Sequence, residues 1–117
     1  MPAPDPARFL PLKPDVFEVL LALSRGELHG YAILKELEDR GVPVAASLLY
    51  RKLRRLMEAD LVAEVTRRAV RPADDQRRRY YRLTPMGRGV VRAEAARIVD
   101  LARESRIRRL AEGGSHA

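Results

Sequence analysis

Between Ala45 and Thr84 the hydrophobic repeat of the chain changes period, and few folds accommodate that change. Up to about Ala59 the apolar residues recur at helical spacing. Leu49, Leu53 and Leu56 fall within a narrow arc at about 100° per residue. From Leu61 the rhythm becomes that of a half-buried strand, with Leu61, Ala63 and Val65 interleaved with Val62, Glu64 and Thr66. Tyr81 and Leu83 alternate likewise with Tyr80 and Arg82. The stretch between the strands, RRAVRPADDQRR, is too polar and too long for a tight hairpin turn. A helix feeding a basic hairpin must bury one face of each element against other elements of the same small domain.

Those elements are legible on both sides. Pro14 and Asp15 sit where a first helical turn favours a proline and an acid. Val16, Phe17, Leu20, Leu21 and Leu23 then form an apolar stripe that Gly26 ends. A second helix begins near His29-Gly30 and carries Ile33, Leu34 and Leu37 inward. Gly41 is suited to a left-handed cap, and Pro43 prevents continuation. Asp60 is placed to make the corresponding left-handed turn after the third helix. Thr84 caps a final helix with Pro85 at its first position, reaching to Leu110, about 25 residues or roughly 38 Å. The order is helix, helix, helix, strand, strand, long helix. This predicts a mainly α fold with a small β-hairpin, a winged helix-turn-helix followed by a long C-terminal dimerisation helix. In domain terms, residues 1–13 read as a flexible N-terminal arm and 14–84 as the winged helix-turn-helix. Residues 85–112 read as the dimerisation helix and 113–117 as a disordered tail.

Charge narrows the function. The 117 residues carry 23 Lys and Arg against 16 Asp and Glu, a net +7, which favours a polyanionic partner. Without cysteine, disulfides, thiolate catalysis and zinc-finger chemistry are excluded. No apolar run approaches the roughly 20 residues needed to span a bilayer, and the Pro-rich start lacks the apolar core of a signal peptide, so a cytoplasmic protein without a membrane partner is expected. The two histidines, His29 and His116, lie far apart in sequence, and Asp74-Asp75 sits in a polar loop with no nucleophile nearby. No catalytic, metal or cofactor site is readable, and no enzyme is expected.

The third helix shows Ser47, Arg51 and Arg54 opposite its leucines, with Tyr50 at the edge of that arc and Lys52 on the same element. The major groove of duplex DNA admits one α-helix, and an arginine fork bridges guanine O6 and N7 or grips a phosphate. Arg67, Arg68, Arg71, Arg77, Arg78 and Arg79 cluster around the hairpin, where a basic wing follows the backbone or enters the minor groove. Tyr31 and Tyr80 are further surface candidates; Tyr81 points with Leu83 into the core. In the last helix Val91, Ala95, Ile98 and Ala102 form an apolar stripe, broadened by Leu101, more than one small domain can cover. A second chain is the expected cover. The competing reading is a winged-helix module that binds protein or RNA, since the fold alone does not imply DNA. The basic outer face of the third helix distinguishes the two.

Three blocks resemble the PadR family of transcriptional regulators: His29-Gly30-Tyr31-Ala32-Ile33, then Leu49-Tyr50 with Leu53 and Arg55-Leu56, then Arg79-Tyr80-Tyr81-Arg82-Leu83-Thr84 with Gly87. The family patterns are HGYxI, GTLYPxLxRLE and (K/R)YYxLT followed by Gly. This chain departs from them at Ser47-Leu48 (Gly-Thr), Arg51 (Pro), Met57 (Glu) and Asp60 (Gly). The resemblance, which covers roughly Val16 to Gly89, implies a homodimeric repressor of a pseudo-palindromic operator, released by a small hydrophobic effector. In the similar compact subgroup the first and last helices make the dimer, which brings Phe17 to that interface. Some of those proteins hold flat aromatic drugs between tryptophans; this chain has none, and Phe9, Phe17 and Met86 are the residues that would line a pocket.

Overall fold

The computed structural model describes residues 5–68 and 77–113, with side chains given outside 66–78. Its helices are α1 (Pro14–Leu23), α2 (Gly30–Asp39), α3 (Ala46–Glu58), α4 (Pro85–Arg103) and α5 (Ser105–Gly113). The strands are β1 (Leu28–His29), β2 (Val62–Arg68) and β3 (Arg77–Leu83). The helix ends follow the local chemistry. Pro14 occupies the first turn of α1, where the Asp15 carboxylate accepts from its neighbour Val16 N–H at 2.8 Å. After α2, Gly41 takes φ +79° while Val42 N–H donates to Leu37 O and Gly41 N–H to Glu38 O. That is a Schellman ending. The end of α3 repeats it with Asp60 at φ +61°, Leu61 N–H on Leu56 O and Asp60 N–H on Met57 O. An aspartate thus fills a position usually given to glycine, and Leu61 is turned back onto the core.

β3 is the central strand, paired antiparallel with β2 on one side and β1 on the other. The two-residue β1 carries no alternation and was not readable from sequence. Its register sets Leu28 opposite Tyr81 and His29 opposite Tyr80. On the other side Val62 faces Leu83 and Glu64 faces Tyr81. Directly paired residues share a face, so Val62, Tyr81 and Leu83 point inward together. Leu61 is buried as well, for a different reason. It lies in the corner before the strand, where its carbonyl accepts from Thr84 N–H at 3.0 Å. A Cβ on Gly87 would overlap that same carbonyl oxygen. Thr84 caps α4 as expected, its Oγ1 accepting from Gly87 N–H at 2.9 Å and donating to Asp60 O.

The core gathers Leu20 from α1, Ile33 from α2, Leu49 and Leu53 from α3, Leu61, and Val90 from α4, all fully buried. The first three helices, at 10, 10 and 13 residues, are too short to be stable alone, so this shared core holds them. Two expectations need correction. The arm before α1 is packed rather than free over residues 5–12. A 3-10 turn at Pro6–Phe9 is capped by Asp5, and Phe9, Leu10 and Leu12 lie against the core. Leu12 N–H donates to Glu94 Oε2 at 3.1 Å, and Glu94, buried on α4, also takes two hydrogen bonds from Arg97 at 2.6 and 2.9 Å. The C-terminal helix is not continuous either. Glu104, within the expected helix, adopts ψ 121° and its carboxylate accepts from Arg106 N–H at 3.3 Å, which starts α5. Of the expected tail, Gly113 ends α5 and residues 114–117 lie outside the described residues.

Gly87→Ala is expected to destabilise the fold by about 1–3 kcal/mol, the usual cost of overpacking against an element that must shift; urea denaturation measures it. The Arg97 hydrogen bond, aided by Leu12 N–H, holds the Glu94 carboxyl below its ordinary value of 4.5 despite burial. A depressed folded pKa means that the unfolded chain binds the proton more readily. The contribution is therefore complete above about pH 4.5 and lost as pH falls through the lower folded value. Glu94→Gln is expected to flatten this part of the acid-denaturation profile.

Candidate nucleic-acid interface

On α3 the helical period separates two faces. Leu49, Leu53 and Leu56 are buried, while Ser47, Arg51 and Arg54 are exposed on the opposite side. The helix starts after Ala45, which offers no side-chain cap. Ser47 and its neighbours thus form a first turn to which the N-cap residue offers no side-chain acceptor.

The edge of this arc is fixed by a cross-helix contact. A Cβ on Gly30 would lie 2.8 Å from Tyr50 Cε1 and Cζ, and closer still to the hydroxyl. The Tyr50 ring therefore lies over the first residue of α2, one edge packed and the rest in solvent at 42% exposure. Sequence reasoning missed the part of Gly30. It read as the start of a helix, and the room it makes for Tyr50 is a contact between distant positions. His29 caps α2, its Nδ1 accepting from Ala32 N–H at 3.2 Å, a structural place at the turn. Its ring stacks on Tyr31 (centroids 6.4 Å apart, planes at 16°) and meets the Tyr80 ring edge-on at 5.5 Å. Tyr31 projects into solvent at 69% exposure beside the α3 arc; Tyr80 is half-buried against His29. Tyr81 is in the core, and burial, with Glu64 and Tyr50 nearby, raises its phenol pKa.

The basic residues part company. Arg51 and Arg54 are exposed on the outer face, without an ion pair among the described residues. Lys52 does not join them: it is half-buried and ion-paired with Asp15 of α1. The Lys52 hydrogen bond, opposed by partial burial, holds the Asp15 carboxyl below the usual carboxylate range. Lys52 lies roughly 100° around the helix from Arg51, which turns it toward α1. On the hairpin, Arg79 is exposed and 3.4 Å from Glu64. The backbones of Arg67 and Arg78, and of Arg68 and Arg77, pair across the ladder. The side chains of these four, and Arg71 and Asp74-Asp75 altogether, lie outside the described residues.

Of the expected dimer residues, Val91 is buried in its own chain, Phe17 packs partly against the core, and Ala95 is half-buried. Ile98, Leu101 and Ala102 are exposed. Phe9 and Met86 line a shallow cleft of about 320 Å³ beside Ala59 and Asp60, and Phe17 is not part of it. Among the described residues no three potential metal ligands gather, and no helix is long and apolar enough to cross a membrane.

Residues 19–93 match the family model described as the transcriptional regulator PadR-like family. The chain belongs to that family. It is a family of transcription regulators, not of enzymes. A PadR family regulator from Eggerthella lenta is 33% identical, with 81% of each chain covered and a TM-score of 0.63. A PadR-like regulator from Bacillus cereus is 20% identical over 84% of this chain and 91% of the other, with a TM-score of 0.70. Bacillus subtilis PadR, solved in complex with operator DNA, is 20% identical; 76% of this chain covers 48% of that one, with a TM-score of 0.60. Among curated proteins none matches. The PadR-like blocks now have a spatial meaning. His29-Gly30-Tyr31, Leu49-Tyr50 and Tyr80-Tyr81 meet where β1, α2, α3 and β3 come together.

Gly30→Ala is expected to push the Tyr50 ring off α2 and onto the α3 arc. Folding should survive, because the far end of a side chain can yield, while duplex-DNA affinity falls. Circular dichroism with a fluorescence-anisotropy titration checks both, and Tyr50→Leu in the same chain should restore part of the loss.

Proposed function

We propose that this PadR-like regulator is a homodimer that binds a pseudo-palindromic duplex operator in the cytoplasm, acts as a repressor, and is released by a small molecule. The arc of Ser47, Arg51 and Arg54, held beside Tyr31 by the seat of Tyr50 on Gly30, carries the DNA reading. Its outer face is basic rather than apolar, which favours nucleic acid over a protein partner. The exposed start of α3 and the ring of Tyr31 at the start of α2 suit contacts to phosphate, where helix N-termini attract anions. Arg51 and Arg54 suit base edges or phosphates, and Arg77, Arg78 and Arg79 on β3 suit the backbone beside them. The complex of Bacillus subtilis PadR with operator DNA supports this use of the fold.

Dimerisation is supported by apolar surface that one chain leaves open: Ile98, Val99, Leu101, Ile107 and Leu110 on α4 and α5 are each 39–66% exposed. Large apolar side chains left open on two consecutive helices favour a partner surface. Two reading helices would then enter successive major grooves with centres about 34–36 Å apart.

A titration on duplex DNA, beginning with the region upstream of its own coding sequence, tests the reading. Specific affinity should fall with salt at a logarithmic slope of about −0.9 per neutralised phosphate. Arg51→Ala and Arg54→Ala should each weaken specific binding, by about 1–3 kcal/mol if the contact is to a base. Lys52→Met should leave the salt slope unchanged, because its ammonium already answers Asp15. Equal affinity for duplex RNA, or no preference among sequences, would count against the proposal. Sedimentation should give twice the 13.2 kDa chain mass, reduced to one chain by Ile98→Glu with Leu101→Glu.

A further inference from the structure

Glu94 is the last buried residue of α4, and its carboxylate is fully used. Oε1 accepts from Arg97 Nε at 2.6 Å, while Oε2 accepts from Arg97 Nη2 at 2.9 Å and from Leu12 N–H at 3.1 Å. Replacing a buried ion pair by apolar side chains of similar size is often neutral or stabilising. Stability alone therefore does not call for an acid here. What the carboxylate adds is a directional hold on the arm at Leu12. From Leu12 the chain reaches α3 in few steps, each of them held. Lys13, restricted by the proline after it, is extended at ψ 142°, and its carbonyl accepts from Phe17 N–H at 3.0 Å. The ring of Pro14 fixes its own φ. Asp15 follows in the first turn of α1. Its Oδ1 accepts from Val16 N–H at 2.8 Å and its Oδ2 from Lys52 Nζ, so one oxygen is held to α1 and the other to α3. One turn on, Glu18 accepts from Arg40, at the end of α2, at 2.6 Å. Helix α1 thus grips both α2 and α3, and Glu94 grips the strap that leads into α1.

We propose that Glu94 is a positioning residue for DNA recognition, setting α3 through the strap from Leu12 to Asp15 and the Lys52 ion pair. The place of Glu94 on α4 gives this route a use. Ile98 and Leu101, one and two turns further and so on the same face, are 39% and 44% exposed. A surface that covers them comes to rest beside Arg97, whose side chain is 38% exposed. Cover on α4 and the setting of α3 are then linked without repacking the core. The tie between α4 and α3 stands on these contacts; its effect on binding rests on the DNA reading above.

The test uses the full chain and two substitutions at one position. Glu94→Gln keeps an acceptor for Leu12 N–H and lets Arg97 turn to solvent; Glu94→Met keeps the bulk and removes the acceptor. Without DNA, amide NMR signals of Glu94→Met should shift at Leu12, Lys13, Asp15 and Val16 and, on α3, at Ser47 and Lys52. Glu94→Gln should leave the α3 signals in place. Shifts confined to α4 and the arm would overturn the tie. On the duplex that binds best in the titration above, Glu94→Met should bind about three- to fivefold more weakly, the range of a surface ion pair. In a Lys52→Met background the same substitution should have no further effect, and Glu94→Gln should stay within about twofold of the parent. Equal losses in both backgrounds would assign the effect to folding or assembly, and equal losses for Gln and Met to charge; either result overturns the strap. Should Glu94→Met fail to fold, Leu12→Pro removes the donor instead and leaves α4 untouched. It must show the same loss, and the same silence in the Lys52→Met background, or the proposal falls. If no duplex binds at all, the DNA reading fails and the NMR arm alone decides the tie.

Discussion

The contact of Tyr50 with Gly30 is the constraint on which the rest of the exposed α3 face depends. A helix can show a basic face only if its orientation to the domain is set. Three buried leucines anchor α3 to the core. A rigid ring laid over the bare backbone at the start of α2 ties it to that helix, and the Lys52–Asp15 pair ties it to α1. The two restraints differ in kind. Packing against a glycine is short-ranged and insensitive to salt, whereas an ion pair at the surface contributes about 0–1 kcal/mol and is screened.

Much of this fold could be read from the residues because local chemistry and global packing agree. The Schellman endings at Gly41 and Asp60, the Thr84 cap and the division of α3 into a leucine face and a basic face all follow from short-range pattern. What escaped was decided at long range. The strand β1 exists because β3 offers an edge to Leu28 and His29, and two residues hold no period. The arm before α1 looked free because its prolines and charges read as linker. It is held by three apolar side chains and by Glu94, whose partner Leu12 is more than eighty positions away. Glu104 falls inside the stretch that read as one helix, and nothing before it in the chain signals that its carboxylate would turn round to start another.

The site divides in the same manner. Ser47, Arg51 and Arg54 were legible because exposure on a regular helix follows from angle alone. Lys52 was not, since only the position of α1 reveals that its ammonium has an acid to meet. Val91 looked like part of an open stripe, but it lies on the margin of that stripe that closes the core of its own chain. Tyr80 and Tyr81 separate as strand alternation requires, although His29 covers part of the outer ring.

The start of α3 has a thermodynamic consequence. Helices with serine, threonine, aspartate or asparagine before the first turn are about 1 kcal/mol more stable than those with alanine, because a side-chain oxygen completes the turn. Ala45 supplies none, so the first turn of α3 lacks that side-chain bond. An anion arriving there would complete what the sequence leaves open. Part of the binding free energy would then go into ordering that turn, and association would carry an entropic cost and a favourable enthalpy beyond those of rigid surfaces meeting. Recognition and the last step of folding would be one event at this end of the helix.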